Sequence, residues 1–258
     1  MDLVRVERQG EVARVTLDRP DKLNAVDNAM WGRLGALFAE LDADTELRCV
    51  IVAGAGGRAF SVGADIAEFE ENRSSVERAR SYAARTHGAL DAIAHCRHPV
   101  IAEIRGLCVG GGLELATCCD LRIAGESARF GIPVKRLGLV VAYSELKPLV
   151  ELVGPANAME ILLEGEVFGA QRAYDMGLVN RVVPDDGVTA EVEASAARIC
   201  EGAPLVARWH KKFTRRLMQA KPLTAEEVDE SYACFGTEDF RTGYQAFLAK
   251  TKPVFSGR

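Results

Sequence analysis

His98-Pro99-Val100-Ile101-Ala102-Glu103-Ile104 runs through Gly106 into Gly110-Gly111-Gly112-Leu113-Glu114-Leu115-Ala116, and this stretch decides the fold. Its first half is a short apolar run behind a proline, which suits a buried strand of a parallel sheet. Its second half strips three successive positions of their side chains and then reads as helix from Glu114 to Cys119. Glycine admits conformations and close backbone approaches that other residues forbid. A helix start adds free N–H groups and a dipole that favour negative charge. Strand, glycine turn and helix together predict one unit of an α/β fold with an anion-binding corner.

The same design occurs upstream. Cys49–Ala53 is another apolar run, and after it comes Phe60-Ser61-Val62-Gly63-Ala64-Asp65, again small residues beside a carboxylate. Two backbone N–H groups converging on one point hold a developing oxyanion. Glu114 lies one helical turn beyond the second glycine segment, within reach of a proton or a water. The two segments predict a chain that stabilises an enolate.

Outward from these segments, Leu3–Glu7 and Val12–Leu17 alternate in polarity around Gln9-Gly10 and predict a hairpin. Asp27 predicts a helix cap, with Met30, Trp31, Leu34, Leu37, Phe38 and Leu41 on one face. Residues 76–93 carry helical periodicity, and Leu121–Ala124 reads as a further strand. Strand and helix patterns alternate to about residue 190, as α/β topology requires. Beyond it the pattern is helical, with a capping box at Thr224-Ala225-Glu226-Glu227 and a helix stop at Gly236. The division expected is a core over residues 1–195 and a helical subdomain over 196–258.

A length of 258 residues permits one large domain with an appended subdomain. The net charge of −5 gives no reason to expect nucleic acid as a partner. The one concentrated basic run, Trp209-His210-Lys211-Lys212-Phe213 with Arg215-Arg216, reads as the solvated face of an amphipathic helix. Seven cysteines without zinc-like spacing predict reduced core thiols in a cytoplasmic protein, with no metal site. Met1 to Glu7 alternates like a strand and lacks the apolar core of a signal peptide. No window reaches the ~18 apolar residues of a membrane span.

Arg19-Pro20-Asp21-Lys22-Leu23-Asn24-Ala25, Arg58-Ala59-Phe60-Ser61-Val62-Gly63-Ala64-Asp65 and the 98–116 stretch, taken in order and at these spacings, resemble the crotonase (enoyl-CoA hydratase/isomerase) superfamily. The resemblance runs on to Phe247-Leu248-Ala249-Lys250 and covers nearly the whole chain. It implies a spiral of ββα units followed by a C-terminal helical trimerisation region, and a homotrimer or dimer of trimers. It also implies an acyl-CoA thioester as substrate, with no cofactor beyond the coenzyme A that the substrate carries. Position by position, Ala64 and Gly111 would supply the oxyanion-binding N–H groups, and Gly110 would belong to the coenzyme A-binding set. Val62, Asp65 and Ile66 would wrap the adenine, Arg58 would lie near the nucleotide phosphates, and Lys250 would reach the nucleotide across a subunit boundary. The final helices carry apolar faces that need cover, through Phe235, Phe240, Tyr244 and Phe247.

The sequence departs from the family where its hydratases carry a second glutamate. Glu114 matches the first, but Phe130-Gly131-Ile132-Pro133-Val134 places Val134 at the second, and valine moves no proton. The following Gly138-Leu139-Val140-Val141-Ala142-Tyr143-Ser144-Glu145 also replaces a glycine-rich family stretch. Three groups could compensate: Tyr143, whose phenol is a weak acid, Glu145, or waters ordered by Glu114. Tyr143 is the residue carried into the predicted catalytic set with Glu114, Ala64 and Gly111, while Glu145 reads more simply as a charge favoured at a helix start. The expected function is enoyl-CoA hydration, a lyase reaction, at an atypical site. Double-bond isomerisation, acyl-CoA decarboxylation and non-catalytic acyl-CoA binding are the alternatives.

Overall fold

Each turn of the chain gives one strand to each of two sheets, and that alternation builds the molecule. The computed structural model describes residues 3–258, so the first two residues of the expected N-terminal strand lie outside it. In chain order the elements are β1 (Val4–Gln9), β2 (Val12–Leu17), α1 (Asn28–Ala43), β3 (Cys49–Gly54), β4 (Ala59–Ser61), α2 (Phe69–Arg73) and α3 (Val76–His95). Next come β5 (Val100–Ile104), β6 (Leu107–Val109), α4 (Gly111–Cys118), β7 (Leu121–Gly125), β8 (Arg129–Gly131) and α5 (Tyr143–Glu164). The chain ends with β9 (Phe168–Gly169), α6 (Ala170–Asp175), β10 (Arg181–Val183), α7 (Val188–Cys200), α8 (Pro204–Leu217), α9 (Ala225–Glu230) and α10 (Glu238–Ala249).

The larger sheet has the order β1-β2-β3-β5-β7-β10 and the smaller β4-β6-β8-β9. Pairs β3–β4, β5–β6 and β7–β8 thus place successive strands in parallel rows of the two sheets, each followed by helix. This is the expected spiral of ββα units. Only the β1–β2 hairpin and the β8–β9 pair are antiparallel.

The middle strands of the larger sheet are buried on both faces, which explains their unbroken apolar runs. On one side Val50, Val52, Val100 and Ala102 join Trp31, Leu34 and Phe38 of α1 and Leu90 and Ile93 of α3. On the other, Cys49, Ile51, Ile101 and Ile123 pack against Val188, Val192 and Ala196 of α7. The expected boundary between residues 195 and 196 falls inside α7, whose Ala196 packs in the core beside Val188 and Val192. Asp27 caps α1 as expected, its Oδ1 accepting from the Met30 N–H at 2.8 Å, and all six residues of its predicted face are buried.

The basic run on α8 is more than a solvated face. Lys211 Nζ and Arg215 reach the Asp120 carboxylate at 2.6 and 3.1 Å, and that carboxylate also accepts from the Val100 N–H at 2.8 Å. Asp120 therefore ties a C-terminal helix to the start of β5. The Thr224–Glu227 capping box is present, but α9 ends at Glu230, and Gly236 closes a short 3-10 turn instead. The seven cysteines are free thiols. No helix among the described residues is long and apolar enough to cross a membrane.

Candidate active site

The N-terminal loop sets the first corner of the site. Asn24 is fully buried; its amide donates to the carbonyls of Ala55 and Ala59 at 3.0 and 2.7 Å, and its Oδ1 accepts from the Arg19 N–H. Ser61 Oγ donates to the Asn24 carbonyl at 2.7 Å and accepts from the Gly63 N–H at 3.0 Å. Val62, Val26 and Asp65 add three backbone bonds between the loop and the end of β4. Residues 61–65 are thereby fixed from behind, and the Ala64 N–H is left without a partner among the described residues.

The second corner is the start of α4, one residue past the β6 strand and its Gly110 turn (φ +53). Close packing joins the two corners. A Cβ on Gly112 would lie 2.3 Å from the Ser61 carbonyl oxygen, and one on Gly63 (φ +87) would lie 2.5 Å from the Gly111 nitrogen. No side chain fits at either position. The Cβ position of Gly111 itself lies 3.5 Å from the Ala64 nitrogen and 3.6 Å from Glu114 Oε2. Two unused backbone N–H groups and one carboxylate therefore surround a single point.

Glu114 is 8% exposed. Burial first, and the negative charge of Glu145 second, push its carboxyl up to about 8, against the opposing pull of Arg73. Glu145, on the first turn of α5, is held by the Ala142 N–H, which donates to Oε2 at 2.9 Å, and by His87 Nε2, 3.2 Å from Oε1. The site therefore holds a second carboxylate after all, delivered from α5 rather than from the Val134 position. Glu145 does serve the helix start, as the sequence suggests, and faces the cavity as well.

The cavity has a volume of about 150 Å³, and Ala64, Gly111, Glu114, Val134 and Glu145 all line it. Val62, Ile66 and Gly110 line it too. Tyr143 does not: it is 94% exposed and outside the lining. The reason is helical phase. Two positions on a helix differ by about 200° in direction, so if Glu145 points inward, Tyr143 points away. Asp65 turns from the cavity to a 2.7 Å ion pair with Arg19 and caps the following turn through the Ala67 N–H; those bonds hold its carboxyl below the ordinary range. Arg58 is exposed beside β4, and Lys250 is exposed at the end of α10; neither lines the cavity of its own chain. Arg73 and Tyr82, within the 69–85 region where the sequence places pocket-lining positions, also line the cavity, as does Trp31, which the sequence did not single out for the site. Trp31 carried a signal only as a core-facing aromatic, and Trp31 Nε1 donates to the Tyr82 hydroxyl at 3.1 Å.

Fold and site define a two-sheet α/β protein with two free backbone N–H groups close to a buried carboxylate. The family model Enoyl-CoA hydratase/isomerase matches residues 7–258. The chain belongs to that family and is an enzyme of it. It is 34% identical over 252 residues to the crotonyl-CoA hydratase of Syntrophomonas wolfei, covering 97% of this chain and 96% of that protein. The short-chain-enoyl-CoA hydratase of Clostridium acetobutylicum is 34% identical over 251 residues, 96% of this chain and 95% of that one. A crystal structure of an enoyl-CoA hydratase/carnithine racemase from Magnetospirillum magneticum superposes with a TM-score of 0.98 at 47% identity, over 100% of this chain and 97% of that one.

Proposed function

We propose that the enzyme adds water across the double bond of a short 2-enoyl-CoA, and eliminates it in reverse. The observation that carries this reading is the convergence of Ala64 N, Gly111 and Glu114 Oε2 on one point, with Glu145 in the same cavity. The thioester oxygen would sit between the Ala64 and Gly111 N–H groups, which oppose the negative charge that grows there as water attacks Cβ. The start of α4 adds its dipole to the same oxygen.

Hydration needs a base for the water and an acid for Cα. Two carboxylates in one low-dielectric cavity resist ionising together, so the pair retains one proton over the range where their repulsion acts. The ionised member takes the proton from water, and the protonated member supplies Cα. Burial favours the neutral form of Glu114, and His87 and the Ala142 N–H hold Glu145 in place.

Arg58 is the cation we assign to the coenzyme A phosphates, and Lys250 the one we assign to a neighbouring copy's nucleotide. Phe235, Phe240, Tyr244 and Phe247 are 58, 40, 45 and 82% exposed, which supports a homo-oligomer, a trimer or dimer of trimers, that covers them. A reducing, cytoplasmic setting suits the free thiols.

The test is turnover of crotonyl-CoA in ¹⁸O-labelled water, followed by loss of the enoyl thioester absorbance and by product mass. A product carrying one labelled water supports hydration. An unchanged mass with a moved double bond, or loss of carbon dioxide from a carboxylated thioester only, would replace it with isomerisation or decarboxylation.

A further inference from the structure

Arg73 is the one guanidinium lining the cavity that holds Glu114. It is half-buried at the end of α2, with its guanidinium carbon 4.5 Å from the Phe69 ring centre and 4.8 Å from the Tyr82 ring centre. Two aromatic faces hold its plane in place, an arrangement suited to guanidinium and not to ammonium. No carboxylate of the described residues pairs with it, although Glu70 and Glu71 precede it on the same short helix. It makes no ion pair with Glu114, although its charge opposes the effect of burial and of Glu145 on that carboxyl. A guanidinium preoriented between two rings in the cavity and held in no ion pair is placed to receive the anion of a ligand.

We infer that the acyl group of the substrate ends in a carboxylate, which Arg73 binds on the acyl side of the oxyanion corner. This rests on the coenzyme A reading above and deepens it. The rest of the lining fits such a chain. Phe69, Val134 and Val141 offer apolar walls for the methylenes, Tyr82 and Thr86 also line the cavity, and the Tyr82 ring lies against Arg73. The cavity, about 150 Å³, has room for a small acyl group beside the oxyanion corner. The class is therefore a short dicarboxylic monothioester, with a 2-enoyl member such as glutaconyl-CoA as the reactive form. The distal carboxylate stays a spectator: water adds across the carbon–carbon double bond, and no bond to the carboxylate changes.

Binding of two saturated thioesters isolates this inference from catalysis. Titration calorimetry with butyryl-CoA and glutaryl-CoA on the wild-type enzyme is expected to favour glutaryl-CoA about tenfold or more, the range of a hydrogen bond to a charged group. Arg73→Met should collapse that ratio to near one, and Arg73→Lys should restore part of it. Equal affinities in the wild type, or a ratio that survives in Arg73→Met, would overturn the inference while leaving the coenzyme A reading intact. Failure of both esters to bind would overturn that reading and the inference with it.

Discussion

Replacing Glu114 with glutamine should stabilise the protein in a pH-dependent way. In the folded state its carboxyl is raised from 4.5 to about 8 by burial and by the charge of Glu145. The folded protein therefore keeps a proton that the unfolded chain has released across that interval. Stability then falls as pH rises from about 4.5, and the loss is complete above about 8. Each tenfold change in proton affinity is worth about 1.4 kcal/mol, so the full interval sets a ceiling of about 5 kcal/mol. Glutamine keeps the shape and never ionises. Glu114→Gln should thus match the wild type near pH 4.5 and exceed it progressively up to pH 8, by roughly 2–5 kcal/mol. For a chain of this size that is about 5–10 °C in Tm. Thermal melts of both proteins at half-unit steps from pH 4.5 to 8.5 would read it. A difference between them that stays flat with pH, or one that favours the wild type at pH 8, would refute the reasoning.

The two candidate partners of Glu114 separate kinetically: Glu145→Gln should lower kcat for crotonyl-CoA hydration by about 10²–10⁴, while Tyr143→Phe should leave it within about twofold. Gly63→Ala forces a Cβ to within 2.5 Å of the Gly111 nitrogen at a φ of +87. It should cost kcat/KM at least about 10²-fold, comparable to losing one oxyanion donor, with the circular dichroism spectrum retained as the control for folding.

Much of the fold was legible because its largest elements obey strong periodicities. Asp27 and six apolar residues at helical spacing define α1, and the runs at Cys49, Val100 and Leu121 define three parallel strands. The second sheet was not legible, because β4, β6 and β8 span only three residues each and leave no alternation to read. The close approach of the two loops was legible through their glycines, since only a missing side chain permits Gly63 to meet Gly111 and Gly112 to meet Ser61. Tyr143 was chosen over Glu145 for the catalytic set, and its place outside the cavity has a geometric reason. Tyr143 and Glu145 both fall in the first turn of α5, and which of them faces Glu114 depends on a helical phase that a two-residue shift of the start would reverse. Arg73 fell within the region expected to line the pocket but was not singled out, because an arginine on a short polar helix looks like ordinary surface until Phe69 and Tyr82 are seen to bracket it.

The most direct test of the central claim is kcat for crotonyl-CoA hydration by the wild-type protein beside Glu114→Gln, at saturating substrate. Measurable water addition by the wild type and a loss of at least about 100-fold in the variant are the predicted result. A variant that hydrates as fast as the wild type would contradict the role of Glu114 in the chemistry.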